Sequence, residues 1–152
     1  MSLIGNIIWF LLGGFLMGLL WLFFGLLAAI TIVGLPWARS CFMIAKLTFF
    51  PFGKQVISRK LLNQKDDIGT GGLGLIGNII WIIFAGLWLA IGHVISAVLC
   101  CITIIGIPFG IQHIKLAAAS LVPVGQTVVT NELATAVKRD QAESQLSSLR
   151  SK

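Results

Sequence analysis

The sequence predicts an all-α integral membrane protein built from two same-oriented helical hairpin repeats, transmembrane or re-entrant. An interfacial helix and a short cytoplasmic β-strand follow each hairpin. Three observations carry this reading. The first is an internal duplication: Leu3-Ile4-Gly5-Asn6-Ile7-Ile8-Trp9 returns unchanged as residues 75–81, and 18 of the 57 positions from 3 to 59 match at the same offset without a gap. A fixed-period repeat of this kind marks two copies of one structural unit. The second is the absence of charge: neither Met1–Ala38 nor Ile68–Ile114 contains Lys, Arg, Asp or Glu. Each block far exceeds the roughly 18 apolar residues that make a spanning candidate. The third is where the basic residues fall. Six lie between the blocks (Arg39, Lys46, Lys54, Arg59, Lys60, Lys65) and five after the second (Lys115, Lys138, Arg139, Arg150, Lys152).

The chain divides into a first repeat (1–60), a linker (61–74), a second repeat (75–131) and a polar, helical tail (132–152). From Leu3 to Leu35 a straight helix would run about 50 Å, too long for one crossing of a roughly 30 Å core and short for two. One crossing per repeat would put the two basic segments on opposite sides of the membrane. A hairpin keeps both in the cytoplasm with the N-terminus, as the positive-inside rule favours. The midpoint of each hairpin falls at Gly18–Trp21 and Ala90–His93, making the equivalent residues Trp21 and His93 the candidate apex, where an apolar ring with a polar handle suits an interface.

After each hairpin comes a proline, Pro36 or Pro108, suited to the first turn of a new helix. The helix from Trp37 to Phe50 carries Arg39 and Lys46, which in mid-bilayer would cost about 5–7 kcal/mol. An interfacial position avoids that cost. Phe109–Leu121 is its counterpart, with Lys115. These three cations are therefore candidates for a cytoplasmic rim or for lipid headgroups. Pro51-Phe52-Gly53 and Pro123-Val124-Gly125 read as turns. Val56-Ile57-Ser58 and Val128-Val129-Thr130 are β-prone, able to pair with each other or across subunits. Asn131 is a plausible N-cap for the tail.

Leu12-Gly13-Gly14-Phe15, Leu35-Pro36 with Arg39-Ser40-Cys41, Gly77-Asn78-Ile79-Ile80-Trp81, Cys101 through Pro108, and Pro123-Val124-Gly125 with Val128-Val129 together resemble the YccF-domain family over residues 3–131. The resemblance implies a small multi-pass protein of the bacterial inner membrane with two tandem domain copies. It supplies no activity, substrate or catalytic residue.

The polar residues within the apolar blocks are few. Asn6 and Asn78 suit a pore mouth, an inter-helix hydrogen bond or a cytoplasmic helix cap. Thr31 and Thr103, near Gly34 and Gly106, could present oxygens to an ion or simply end a helix by bonding back to a carbonyl. Gly14-x-x-x-Gly18 and Gly86-x-x-x-Ala90 permit close helix packing. His93 and His113 are intramembrane ionisable groups and so functional candidates, though the topology puts both at interfaces. Cys41, Cys100 and Cys101 follow no metal spacing, and no hydrolase, zincin or phosphate-loop motif occurs. Enzyme activity, a cofactor, a metal and nucleic-acid binding are not expected. Two function classes remain. One is a homo-oligomeric channel or passive transporter for a small ion, with an anion preference from its basic rim. The alternative is a non-transporting structural or accessory protein that binds lipid or a protein partner through its basic interfacial helices and tail.

Overall fold

The computed structural model describes residues 2–31 and 34–151; Met1, Ile32, Val33 and Lys152 lie outside the described residues, and with them the middle of the first Thr-Ile-Val-Gly-Leu-Pro motif. In chain order the elements are α1 (Ser2–Ile30), α2 (Leu35–Phe49), β1 (Lys54–Ser58), α3 (Arg59–Asn63), α4 (Gly72–Cys101), α5 (Ile107–Leu121), β2 (Gln126–Thr130) and α6 (Asn131–Arg150). The protein is mostly helical and built from two repeated units.

Helices α1 and α4 are the long apolar arms, 29 and 30 residues. At the same repeat position α4 widens into a π-helical turn, Ile82–Gly86, whereas α1 is kinked within Phe10–Gly14 at Gly13, whose backbone is not helical (φ 153°). Gly14 and Gly86 end these segments because an indole lies against them: a Cβ on Gly14 would collide with Trp9, and one on Gly86 with Trp81. The tryptophans are anchored from the other side, each indole N–H donating to a backbone carbonyl of the paired arm, Thr48 and Ser120, at 2.7 Å.

The hairpins form at a different place from the sequence expectation. Trp21 and His93 sit inside α1 and α4, both buried, and mark no apex. The second arm of each hairpin is the helix beginning at Pro36 or Pro108, which packs back along the first. Gly18 and Gly92 sit within continuous helix, whereas a Thr–Gly–Pro sequence ends one helix and starts the next. Gly18 lies against Phe49, and Gly25 against Cys41 and Phe42. Small residues on α1 therefore serve contact inside the hairpin, with Ala90 and Ala97 at the matching buried positions of α4.

Helices α2 and α5 occupy the centre of the molecule. Ile44, Ala45, Leu47, Leu116 and Ala119 belong to one buried cluster with Trp9 and Trp21. The hairpins cross there, so that Phe52, beyond the end of α2, meets Phe109 at the start of α5 with ring centroids 5.6 Å apart. Reciprocally, the Trp37 indole donates to the Gly77 carbonyl at 3.2 Å.

Strands β1 and β2 pair with each other, antiparallel, with Val56 opposite Val128. Those two valines are repeat equivalents, so the ladder runs symmetrically outward from them to Lys54–Thr130 and Ser58–Gln126. This places a local two-fold axis at the centre of the ribbon, and the open ends of both hairpins meet it. The turns into the strands need a left-handed residue, which Gly53 (φ 80°) and Gly125 (φ 88°) supply without steric cost.

The cap of α6 is Thr130, not Asn131: its Oγ accepts from the Leu133 N–H at 3.3 Å. Threonine competes well for this position because its backbone is already extended at the strand end. Ala134 is buried, and Gln64–Asp140 and Lys138–Gln55 hydrogen bonds fasten α6 across α3 and β1.

Candidate functional site

The repeated asparagines clamp the hairpin base. Asn6 donates to the Phe52 carbonyl at 3.1 Å and accepts from the Phe52 N–H at 3.0 Å. Asn78 makes the same pair of bonds with Val124, at 3.0 and 2.9 Å, and is buried. A side-chain amide carries its donor and its acceptor side by side, so it can bond the carbonyl and the N–H of a single backbone residue at once. Both asparagines are thus polar packing groups rather than helix caps.

The threonines close the hairpin turns. Thr31 Oγ donates to the Ala28 carbonyl and accepts from the Gly34 N–H. Thr103 repeats this with Cys100 and Gly106, at 3.5 and 3.0 Å.

Lys115 was expected at a basic rim. Instead its ammonium donates to three oxygens inside the protein: the Pro51 and Lys54 carbonyls, both at 2.8 Å, and Gln112 Oε1 at 2.6 Å. Three donors meet three acceptors, which ties α5 to the turn after α2. Its repeat equivalent is Met43, so this link between repeats exists once. His93 Nδ1 lies 3.2 Å from His113 Nδ1, so one ring donates and the other accepts. The His113 ring stands 4.9 Å from Trp9. Neither histidine is at an apex.

Arg39 and Lys46 behave differently. Seven residues apart on one face of α2, both are exposed, and neither is ion-paired among the described residues. They line a cleft of about 420 Å³ between α2 and the start of β2. Gln126 and Thr127 form its polar side, and Ala29, Leu35 and Phe42 its apolar end.

Arg59 also reaches this cleft but is committed elsewhere. Its guanidinium grips Asp67 with two bonds, 2.7 and 2.9 Å, and donates to the Gln126 carbonyl at 3.4 Å. Asp67 in turn accepts the Gly69 and Thr70 N–H groups and so shapes the linker. The guanidinium first, and these backbone donors with it, hold the Asp67 carboxyl well below the usual carboxylate range. A depressed value stabilises the fold above the unfolded carboxylate's pKa of about 4, and that contribution fades as the pH falls below it. Asp67→Asn is expected to lower stability by about 1–2 kcal/mol at pH 7, allowing for the water that still reaches the carboxylate. The loss should shrink at pH 3.5, as measured by thermal unfolding in detergent. A constant difference at both values would show that the ion pair contributes nothing.

Sequence reasoning missed the Trp9 and Trp81 anchors, although both stand in the repeated heptapeptide. It also missed the Arg59–Asp67 grip, which no spacing rule announces. The profile of the YccF family, described as an inner membrane component domain, matches residues 4–54 and 76–126, one copy per hairpin. The chain belongs to the YccF family. It is 43% identical over 140 residues to the Inner membrane protein YccF of Escherichia coli (strain K12), covering 90% of this chain and 93% of that one. The protein of the same name from Shigella flexneri matches to the same extent. No solved structure matches the chain. Within the family's repeated unit lie the Asn clamp, the Trp anchor and the Thr turn of each copy. Arg39 and Lys46 lie in the first copy only, where the second has Ile111 and Ala118.

Proposed function

We propose that this YccF-family protein is a non-transporting accessory protein of the inner membrane, whose hairpins enter the lipid from the cytoplasmic side and turn inside it. The carrying observation is the chemistry of the second hairpin's turn. Ile102, Ile104 and Ile105 are 75, 86 and 83% exposed, and no charge occurs from Ile68 to Ile114. Most of the turn's N–H groups, those of Ile102, Thr103, Gly106 and Ile107, donate to nearby carbonyls, and those of Ile104 and Ile105 have no such partner among the described residues. Lipid demands that backbone polar groups be bonded within the chain, and an isoleucine-rich tip is poorly suited to water. The basic residues after each hairpin favour a cytoplasmic base, with the linker and both termini on that side.

A channel, by contrast, needs polar groups facing a lumen. Asn6, Asn78, Thr31, Thr103 and Lys115 are each occupied within the protomer by the bonds described above. These groups are therefore not available to a lumen, and of the cations expected at a rim only Arg39 and Lys46 remain free, while lipid alone can cover the exposed faces of α1 and α4.

Cysteine placed at Ile104 in a cysteine-free background tests this directly. A membrane-impermeant reagent should label it from neither side, and should label Lys60→Cys only from the cytoplasm. Labelling of the Ile104 position from the periplasm would establish a full crossing instead. Ion flux through the protein reconstituted in liposomes would overturn the non-transporting reading.

A further inference from the structure

We propose that the cleft between α2 and β2 binds the headgroup of an anionic phospholipid, with Arg39 and Lys46 holding its phosphate; this rests on the lipid-embedded reading above. Four observations converge on it.

First, the two cations face one cleft and have no acid beside them. The acidic groups with side-chain partners are taken by other residues: Asp66 by Lys60, Glu143 by Arg139, Asp140 by Gln64, and Asp67 by Arg59, the third cation lining the cleft. Second, the cleft is amphipathic along its length. Gln126 and Thr127 offer polar contacts in the cleft, while Ala29, Leu35 and Phe42 continue onto the lipid-facing surface of α1, where Leu26 and Ile30 are exposed. A phosphate seated between the cations would leave its acyl chains running along that apolar surface. Third, Arg39 lies one turn from Leu35, at the start of the returning arm. An unpaired guanidinium so close to lipid is costly, and a lipid phosphate beside it removes the cost through bidentate, charge-assisted hydrogen bonds.

The fourth observation is the difference between the repeats. The clamp, the indole anchor and the turn are built in both copies, so the fold requires them twice. The cations are built once: the second copy has Ile111, 57% exposed, and Ala118 at these positions. The hairpin therefore forms without them, and their role lies outside the fold.

Native mass spectrometry of the full chain, taken from mixed detergent micelles containing phosphatidylglycerol and phosphatidylcholine, is the test. Retention of phosphatidylglycerol over phosphatidylcholine is expected. Each basic residue near anionic headgroups accounts for about 5-fold, so Arg39→Gln with Lys46→Gln should reduce the preference about 30-fold. Both residues are exposed, so unfolding is not expected, and an unchanged melting temperature would verify this. Arg150→Gln, at the far end of α6, should leave the preference intact. An undiminished preference in the double variant would overturn the proposal, as would equal retention of the two lipids by the native chain. Millimolar inorganic phosphate added as competitor should not displace the lipid; displacement would identify a site for free phosphate and overturn the lipid assignment. Failure of the embedded-hairpin reading would appear separately, in the labelling at Ile104.

Discussion

Gly14→Leu is expected to destabilise the protein by about 3–5 kcal/mol, the range for losing a large buried aromatic side chain. The leucine would occupy the space of the Trp9 indole, which is buried and cannot move aside without breaking its bond to the Thr48 carbonyl. Displacing Trp9 would also undo its stacking on Phe109, 6.3 Å away in the second hairpin, and its contact with His113. The two hairpins should therefore loosen together. Thermal unfolding in detergent, with tryptophan fluorescence reporting the indole environment, gives the measurement. Gly18→Leu offers a comparison, since Gly18 meets the Phe49 ring, which is only partly buried. That variant should cost less, about 1–3 kcal/mol. If Gly14→Leu proves no worse than Gly18→Leu, the indole anchor is not what joins the repeats.

Asn78→Ala should cost about 2–5 kcal/mol, because it leaves the N–H and the carbonyl of Val124 without partners in a buried place. Asn6→Ala removes the same two bonds from Phe52, but that site is only partly buried. Water can replace part of the loss there, so the cost should fall nearer 1–2 kcal/mol. The comparison separates a structural clamp from a pore lining. A clamp variant unfolds at lower temperature in proportion to burial. A pore-lining variant would leave the melting temperature alone and change conductance.

Much of the architecture was legible in the sequence because a duplication and a charge pattern survive any detail of packing. Two units, apolar arms and a helix starting beside each proline followed from residues alone. The position of the hairpin turn did not. The expectation placed it midway, at Trp21 and His93, because arm lengths were balanced against bilayer thickness. Instead α1 ends at Ile30 and the returning helix begins at Leu35, and the second repeat turns at Thr103–Gly106, where the local chemistry ends a helix. Propensity and capping, which act over a few residues, outweighed an argument from length.

The polar residues show the other limit. From sequence, Asn6 and Asn78 were open between pore, inter-helix bond and cap, since an amide serves any of these. Their partners lie 46 residues away, and no local pattern names them. Lys115 is the clearest example. Its charge placed it at a rim with Arg39 and Lys46, yet the crossing of α5 over the turn after α2 surrounds its ammonium with three oxygens.

That this is a membrane protein of two equivalent hairpin units is written in the chain, because hydrophobic length and charge placement are properties that lipid reads directly. Which polar groups are consumed internally and which remain free follows from long-range packing. That distinction depends on how the hairpins cross and on which carbonyls the crossing brings within about 3 Å. It leaves Arg39 and Lys46 facing an open cleft while Lys115, Asn6, Asn78 and the paired threonines are satisfied within the fold.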